Sequence, residues 1–449
     1  MQQEEMMRSS HNATTSGFGN GTWEGNRVVL LWVIYFCYAT MAALLLQKLV
    51  LPLMPLLHAG YGLLQNDAIL FHKEALALAG RIQQEGWGVW SLWPDIGGGL
   101  GNVGILSALY ALFGPDPALL IPLNAALHAL GALLIFLIGQ RLWPGTVGTR
   151  GGLVASVLFL VFPSSLVWYG QIHKDGFSIA GTLLIVYAFI RAVSMDKDDL
   201  KVIVFYALTG IGLISVMRPY YFKLLVVPAI AVWSLLVVLA WFSRVDKRAV
   251  LNSTALVAML LVSAISIKSD NTGLDGMAYA KLASFHWTDS AWLPDAIEKY
   301  IEVAAKTRYG LIQYNLSVNA RTLIDSNIVL TSVGDMLRYA PRALQIALFA
   351  PFPVSWFDKP SLPILLGVAE TAIWYIFVPG IFIMFVRRRS LELTVILVFS
   401  LSLLTMIGII EPNIGTLFRM RYAYLLLLLL VGALGWVSVY RLWRERHLT

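Results

Sequence analysis

One cysteine, Cys37, stands in 449 residues, so neither an internal disulfide nor a cysteine-based metal cluster can form within the chain. Charge is equally scarce. Asp, Glu, Lys and Arg make up 13% of the residues, against 58% hydrophobic. That balance leaves too few polar side chains to coat a soluble protein of this size, and it points to a chain that uses a bilayer as solvent. Several chemistries are missing as well. No P-loop, zinc spacing or Ser-His-Asp pattern occurs, and His58, His72, His128, His173 and His286 are scattered, none of them read as a ligand. The letters "GLGNVG" at 99–104 fit a dinucleotide fingerprint, but a Trp- and Pro-rich stretch precedes them and Asn124 stands where an acid should follow. Without a strand before and an acid after, the segment is expected to be a flexible loop that admits a substrate.

What the chain does have is long apolar runs. Candidate spans are 28–50, 117–140, 151–165, 176–193, 201–217, 221–242, 249–267, 362–386, 391–410 and 421–440, many of them near the ~20 residues that cross a bilayer. The fold class expected is an all-α polytopic membrane protein of about ten transmembrane helices. The net charge of +7 comes from short basic clusters between spans, the pattern of the positive-inside rule, and nucleic acid is not an expected partner. Arg141 with Arg150, Arg244 with Lys247 and Arg248, Arg387 to Arg389, and Arg441 with Arg444 and Arg446 all fall on one side if the spans alternate. The polar N-terminal stretch lacks the pattern of a signal peptide. The expected divisions are a flexible cytoplasmic tail (1–27), an N-terminal transmembrane module (28–267) with a long outer loop (51–116), an extracytoplasmic cap segment (268–361), and C-terminal helices with a cytoplasmic tail (362–449). Of four N-x-S/T sites, at Asn12, Asn20, Asn252 and Asn315, three fall on the cytoplasmic side in this reading, so they do not argue for a eukaryotic secretory protein.

Alternation gathers the chemically interesting residues on the outer face. In the first outer loop "NDAILFHKEALALA" reads as an amphipathic helix, with Asp67 and Glu74 on one face because seven residues are almost two turns. A second helical pattern covers 103–113, and three tryptophans between the two favour the membrane interface. In "FPSSLVWYGQIHKD", Pro163 closes a helix and Asp175 falls near the start of the next, with His173 and Lys174 beside it. Lys174 could hold a phosphate. "VMRPYYFK" places Arg218 and Tyr220 at the outer boundary, as interfacial anchors or as a fork for phosphate oxygens. Arg419 and Arg421, followed by Tyr422, open the last span on the side where positive charge opposes the topology rule, which marks them as anion-binding candidates.

Outer carboxylates, several arginines and a wall of membrane suit a substrate that is anionic at one end and lipid at the other. A polyprenyl-phosphate sugar is such a molecule. Its sugar–phosphate bond needs cations to take up the leaving charge and one carboxylate to deprotonate an acceptor hydroxyl. The order "NDAILFHKEALALA", "GILSALYALFG", "LLIPLNAALHALGALLIFLIGQRLW", "FPSSLVWYGQIHKD" resembles the integral-membrane GT-C glycosyltransferases, including bacterial relatives of protein mannosyltransferases and aminoarabinose transferases. The resemblance covers roughly 28–195. It implies Asp67 as base, Asp175 as second acid, and a basic-aromatic group before the last span (Arg419, Arg421, Tyr422) for the lipid phosphate. Two departures stand out: Asn66-Asp67 replaces a pair of acids, and "RMRYAYLLL" lacks a proline. A divalent cation is compatible with this reading but not required. The expected activity is transfer of a hexosyl or pentosyl group to a glycan, lipid or protein acceptor, at the outer face of a bacterial inner membrane and in service of the cell envelope. Two rival readings compete with it. A polysaccharide polymerase or ligase would rest on Arg308, Arg321 and Arg338 of the cap, and a lipid-linked sugar transporter would need polar mid-spans and internal symmetry that are not seen.

Overall fold

The structure, a computed structural model, describes residues 25–64, 67–94, 101–194, 200–266, 284–320, 322–357 and 361–447. Most of the expected tail, Asn66, residues 99 and 100 of the glycine-rich segment, the first part of the cap and Arg321 lie outside the described residues. The chain opens with α1 (Gly25–Leu45), which continues through a π-helical turn at Leu46–Val50. Two helices of the first long loop follow, α2 (Asp67–Glu85) and α3 (Gly101–Phe113). Then come α4 (Ile121–Leu142), α5 (Thr146–Val161), α6 (Pro163–Tyr169), α7 (Asp175–Val193), α8 (Leu200–Met217), α9 (Tyr221–Trp241) and α10 (Lys247–Ile265). The cap carries α11 (Asp295–Ser317) and α12 (Val333–Phe349), and the chain ends with α13 (Leu362–Arg387), α14 (Leu391–Ile410), α15 (Ile414–Met420) and α16 (Tyr422–His447).

Among the described residues nine helices are long and apolar enough to cross a bilayer, or ten if α5 and α6 form one span bent by 60°. The protein is an all-α polytopic membrane protein, as its hydropathy implied. The bend falls at Pro163, which takes the first position of α6; its ring cannot continue α5 but suits the start of a new helix.

Burial separates a central group of spans from a peripheral one. Of the spanning window, 94% is buried in α7, 83% in α16 and 72% in α4, against 22% in α1. Small residues let these axes approach, as is general where lipid gives no hydrophobic drive between helices. A Cβ on Gly181 of α7 would meet the Gly210 carbonyl of α8 at 2.7 Å, and one on Gly435 of α16 would meet the Gly380 carbonyl of α13 at 1.9 Å.

α2 and α3 pack on each other outside this bundle, through Phe71, Ala75 and Ala79 against Val103, Leu106 and Tyr110. His72 and Tyr110 share a 2.7 Å hydrogen bond across that seam. Residues 101–104 of "GLGNVG" are no open loop but the buried first turn of α3. Their glycines allow close backbone contact, since a Cβ on Gly101 would lie 2.0 Å from the Val216 carbonyl and one on Gly104 would lie 2.2 Å from that of Leu92. The tryptophans keep exposed rings, while the indole N–H of Trp90 donates to the Gly104 carbonyl at 2.9 Å and that of Trp93 to Val216 at 3.1 Å.

Among the contacts that join the cap segment to the bundle are a short backbone pairing and a side-chain bond. Residues 322–324 pair with 412–414, through Ile324 N to Pro412 O at 3.0 Å and Ile414 N to Thr322 O at 2.9 Å. The hydroxyl of Tyr300 on α11 donates to the Lys223 carbonyl of α9.

Candidate functional site

The site is assembled at the end of the bundle where α7 begins and where α8, α15 and the first long loop converge. Asp175 is the first residue of α7 and is buried. The turn before it is held by Gln171, whose side-chain carbonyl accepts from Leu64 N at 2.9 Å and whose amide donates to Gly62 O at 3.1 Å. Asn124 on α4 donates to the Gln171 carbonyl at 2.9 Å. Gln171 thus fastens the turn before Asp175 to the segment before Asp67. Gly62 is needed there, because its φ of +73° and a would-be Cβ 2.1 Å from the Gln47 carbonyl exclude other residues.

Two arginines meet the two acids. Arg218 Nη2 lies 2.8 Å from Asp175 Oδ1, with both side chains buried. The same guanidinium donates to the Tyr221 hydroxyl at 3.2 Å. Arg419, from α15, reaches Asp67 Oδ2 with Nη1 at 3.1 Å, and its Nε stands 4.0 Å from Asp175 Oδ2. One guanidinium therefore spans the two carboxylates that the sequence singles out. Asp67 is half exposed, whereas Asp175 is not. Part of the hydrogen-bonding capacity is unspent: Asp175 Oδ2, Arg218 Nε, Arg419 Nε and Ser178 Oγ are buried without a partner. They face a cleft between α7, α9 and α16 lined also by Thr182, Tyr221 and Tyr424.

Neighbouring groups set the charge of this end. His173 Nδ1 is 4.0 Å from Asp175 Oδ2, but burial lowers the imidazole to about 4 and keeps it neutral near pH 7. Lys174 lies with its ammonium 5.4 Å above the Phe71 ring of α2. Burial, assisted by Arg218, brings it down to about 8. Glu74 of α2 is pushed up by burial and pulled back by Lys174, so α2 supplies a second acid near the site beside Asp67. Glu411 follows the last residue of α14. It is buried and raised to about 7 by that burial, with Arg419 and Arg308 pulling the other way. Its only sequence signal was an acid directly after an apolar span.

Asp67, Asp175, Lys174, Arg218 and Arg419 are thus brought together. Tyr220 packs against Tyr221, ring centroids 5.5 Å apart, and does not line the cleft. Arg421 and Tyr422 are placed elsewhere. Arg421 donates to the Ala347 carbonyl at 2.8 Å, and Tyr422 donates to the Phe159 carbonyl at 2.6 Å. α15 ends at Met420 and α16 starts at Tyr422, so this break turns Arg421 away from Arg419. Among the described residues no three His, Cys, Asp or Glu side chains gather to hold a metal ion. The two acids converge on arginine nitrogens instead, so the donor set does not fit a divalent cation.

The fold is a polytopic helical bundle with two helices in its first long loop and acids collected at one end. Two solved structures share it: an archaeal oligosaccharyltransferase, AglB from Archaeoglobus fulgidus, in complex with an inhibitory peptide and a dolichol-phosphate (14% identity, TM-score 0.51, covering 92% of this chain), and the Archaeoglobus fulgidus oligosaccharyltransferase in the apo form (13% identity, TM-score 0.50, covering 95% of this chain). This chain spans about half their length, 52% of each. No protein-family model and no curated protein matches it.

Proposed function

We propose that this integral membrane protein is a glycosyltransferase that moves a sugar from a polyprenyl-phosphate donor to an acceptor hydroxyl at the end of the bundle where Asp67 and Asp175 lie. The observation that carries the reading is Arg419, in reach of both carboxylates while Arg218 pairs with one of them. A guanidinium is the natural fork for phosphate oxygens. When the donor phosphate takes up Nη1 of Arg419, Asp67 is released from its ion pair. Its carboxylate then accepts the proton of the acceptor hydroxyl as the acceptor oxygen bonds to sugar C1. The bond between C1 and the phosphate oxygen breaks with its electron pair on the phosphate, which Arg218 and Arg419 stabilise, and C1 inverts. Asp175, held on Arg218, keeps that guanidinium aimed into the cleft. The outer face of a bacterial inner membrane is the proposed location, and a glycan, lipid or protein the proposed acceptor. The polymerase reading has less support, because Arg308 already donates to the carbonyls of Ile409 on α14 and of Asp325 and to the Tyr339 hydroxyl.

Asp67→Asn tests the assignment. Transfer from a labelled polyprenyl-phosphate sugar should fall about 10²- to 10⁴-fold. Stability should change by no more than about 1 kcal/mol, since the Asp67–Arg419 pair is half exposed. Turnover near that of the wild type would sink the role of Asp67 as base.

A further inference from the structure

Ser178 lies one turn along α7 from Asp175 and is buried. A serine inside a helix ordinarily returns its hydroxyl to a carbonyl of the preceding turn. Ser107, Ser253 and Ser263 do so, bonding the carbonyls of Gly104, Val250 and Met259 at 2.9, 2.9 and 2.8 Å. Ser178 Oγ has no such partner, and neither has Asp175 Oδ2 or Arg419 Nε. The last two stand 4.0 Å apart, too far to bond each other yet close enough for a single oxygen beside them to serve both. Buried polar atoms left unpaired are costly, so a group that fills this place is held by all three.

The rest of the cleft narrows the choice of group. Among the described residues Asp175 is the only acid in its lining and Arg218 and Arg419 the only cations. The hydroxyls of Thr182, Tyr221 and Tyr424 and the apolar Ile179, Met420 and Ala423 surround them. The free volume is about 10 Å³, room for one group the size of a water. A carboxylate or phosphate oxygen only accepts, and would set its charge against Asp175 Oδ2. An ammonium only donates, and would meet two guanidinium groups. A hydroxyl does both: it donates to Asp175 Oδ2 and accepts from Ser178 Oγ and Arg419 Nε, which leaves Arg218 Nε to the phosphate. An acetamido group also does both, but on separate atoms and with a methyl for which the cleft has no room.

We propose that this cleft reads one free hydroxyl of the donor sugar, on the carbon next to C1, with Ser178 as a specificity-determining residue. The donor is then a neutral sugar, not one that is deoxy, amino or acetamido at that carbon. The inference rests on the donor reading given above and deepens it. There Nη1 of Arg419 takes the phosphate on C1, and Nε of the same guanidinium faces the cleft, so the hydroxyl within its reach is the one on the neighbouring carbon. A hydrogen bond from that hydroxyl to Asp175 strengthens as positive charge grows on C1. The test uses the purified full chain and farnesyl phosphates carrying glucose, mannose, their common 2-deoxy analogue or N-acetylglucosamine, with farnesyl phosphate and farnesol as references. Kd is measured by intrinsic fluorescence titration for the wild type and for Ser178→Ala. The glucose or the mannose form should bind the wild type about 10- to 100-fold more tightly than the 2-deoxy and acetamido forms, as for a hydroxyl bonded to charged groups. Ser178→Ala should narrow the margin over the 2-deoxy form by about 2- to 10-fold, a change of ratio that a loss of packing does not produce. Equal affinity for the hexose and 2-deoxy forms in the wild type, a comparison that needs no variant, overturns the inference and leaves only water for the cleft. The donor reading survives that result as long as farnesyl phosphate binds more tightly than farnesol. Acetamido binding as tight as that of the hexose overturns the sugar class, and a margin untouched by Ser178→Ala overturns the role of Ser178. Binding of no phosphate compound beyond farnesol removes the donor reading and the inference with it.

Discussion

Removing Asp175 should damage the protein more than removing its partner Arg218, and removing both should cost less than the two losses added. The pair is 2.8 Å long, with side-chain exposures of 8% for Arg218 and 3% for Asp175. Breaking a buried pair from one side strands the other charge, at about 3–5 kcal/mol. The two sides are unequal. In Arg218→Met, Asp175 still has Arg419 at 4.0 Å, so its charge keeps a partner and the loss should fall at or below the low end. In Asp175→Asn, Arg218 keeps only the neutral Tyr221 hydroxyl at 3.2 Å, and the full penalty applies. The double variant leaves neither charge stranded, and a buried ion pair is often near neutral against apolar replacement. The coupling between the two sites should therefore be at least about 2 kcal/mol, at the top of the usual range for residues in contact or above it. Unfolding of all four proteins in lipid bicelles, followed by circular dichroism, measures it. Strict additivity, or a larger loss from Arg218→Met than from Asp175→Asn, would refute the argument.

Burial raises Glu411 to about 7 from an ordinary 4.5, so between those values the folded chain keeps a proton that the unfolded chain has released. Its contribution to stability is fully present below about 4.5 and is lost as pH rises through about 7, by up to about 3 kcal/mol. Glu411→Gln should flatten that part of the pH–stability curve, and an unchanged slope would show that another group causes it. Gly435→Ala would place a Cβ 1.9 Å from the Gly380 carbonyl. The overpacking between α13 and α16 should cost about 1–3 kcal/mol and lower Tm; a wild-type Tm would mean that the two helices can part without loss.

The spans were legible because each needs only a long apolar run, a property of consecutive residues. Asp67 and Asp175 stood out because an acid beside apolar helices breaks the local pattern, and Arg419 because it opposes the charge rule. What could not be read was direction. Arg419 and Arg421 look equivalent in "RMRY", yet a helix break of one residue sends them into separate cavities. The glycines of "GLGNVG" signalled close approach in either reading. Only the packing shows that the close neighbours are the backbone carbonyls of Val216 and Leu92 rather than a ligand. Gln171 carried no signal at all, since its worth lies in joining Leu64, Gly62 and Asn124 across distant parts of the chain. Glu411 reads as an ordinary loop acid until the fold buries it.

The cap touches both segments that carry the site's arginines. On one side Tyr300 holds the Lys223 carbonyl, five residues after Arg218. On the other, Asn413 binds Asn315 at 2.7 Å, accepts from Thr322 at 2.7 Å and caps α15 through Gly415 N at 2.9 Å, six residues before Arg419. A shift of the cap relative to the bundle would therefore change the distance between the two guanidinium groups. In the proposed reaction that distance must suit one phosphate, so the cap acts on catalysis by holding Arg218 and Arg419 in register rather than by touching the sugar. Asp67, half exposed and carried by α2, lies outside that brace. In the proposed reaction Asp67, as base, can accordingly meet acceptors of different shape while Arg218 and Arg419 stay fixed.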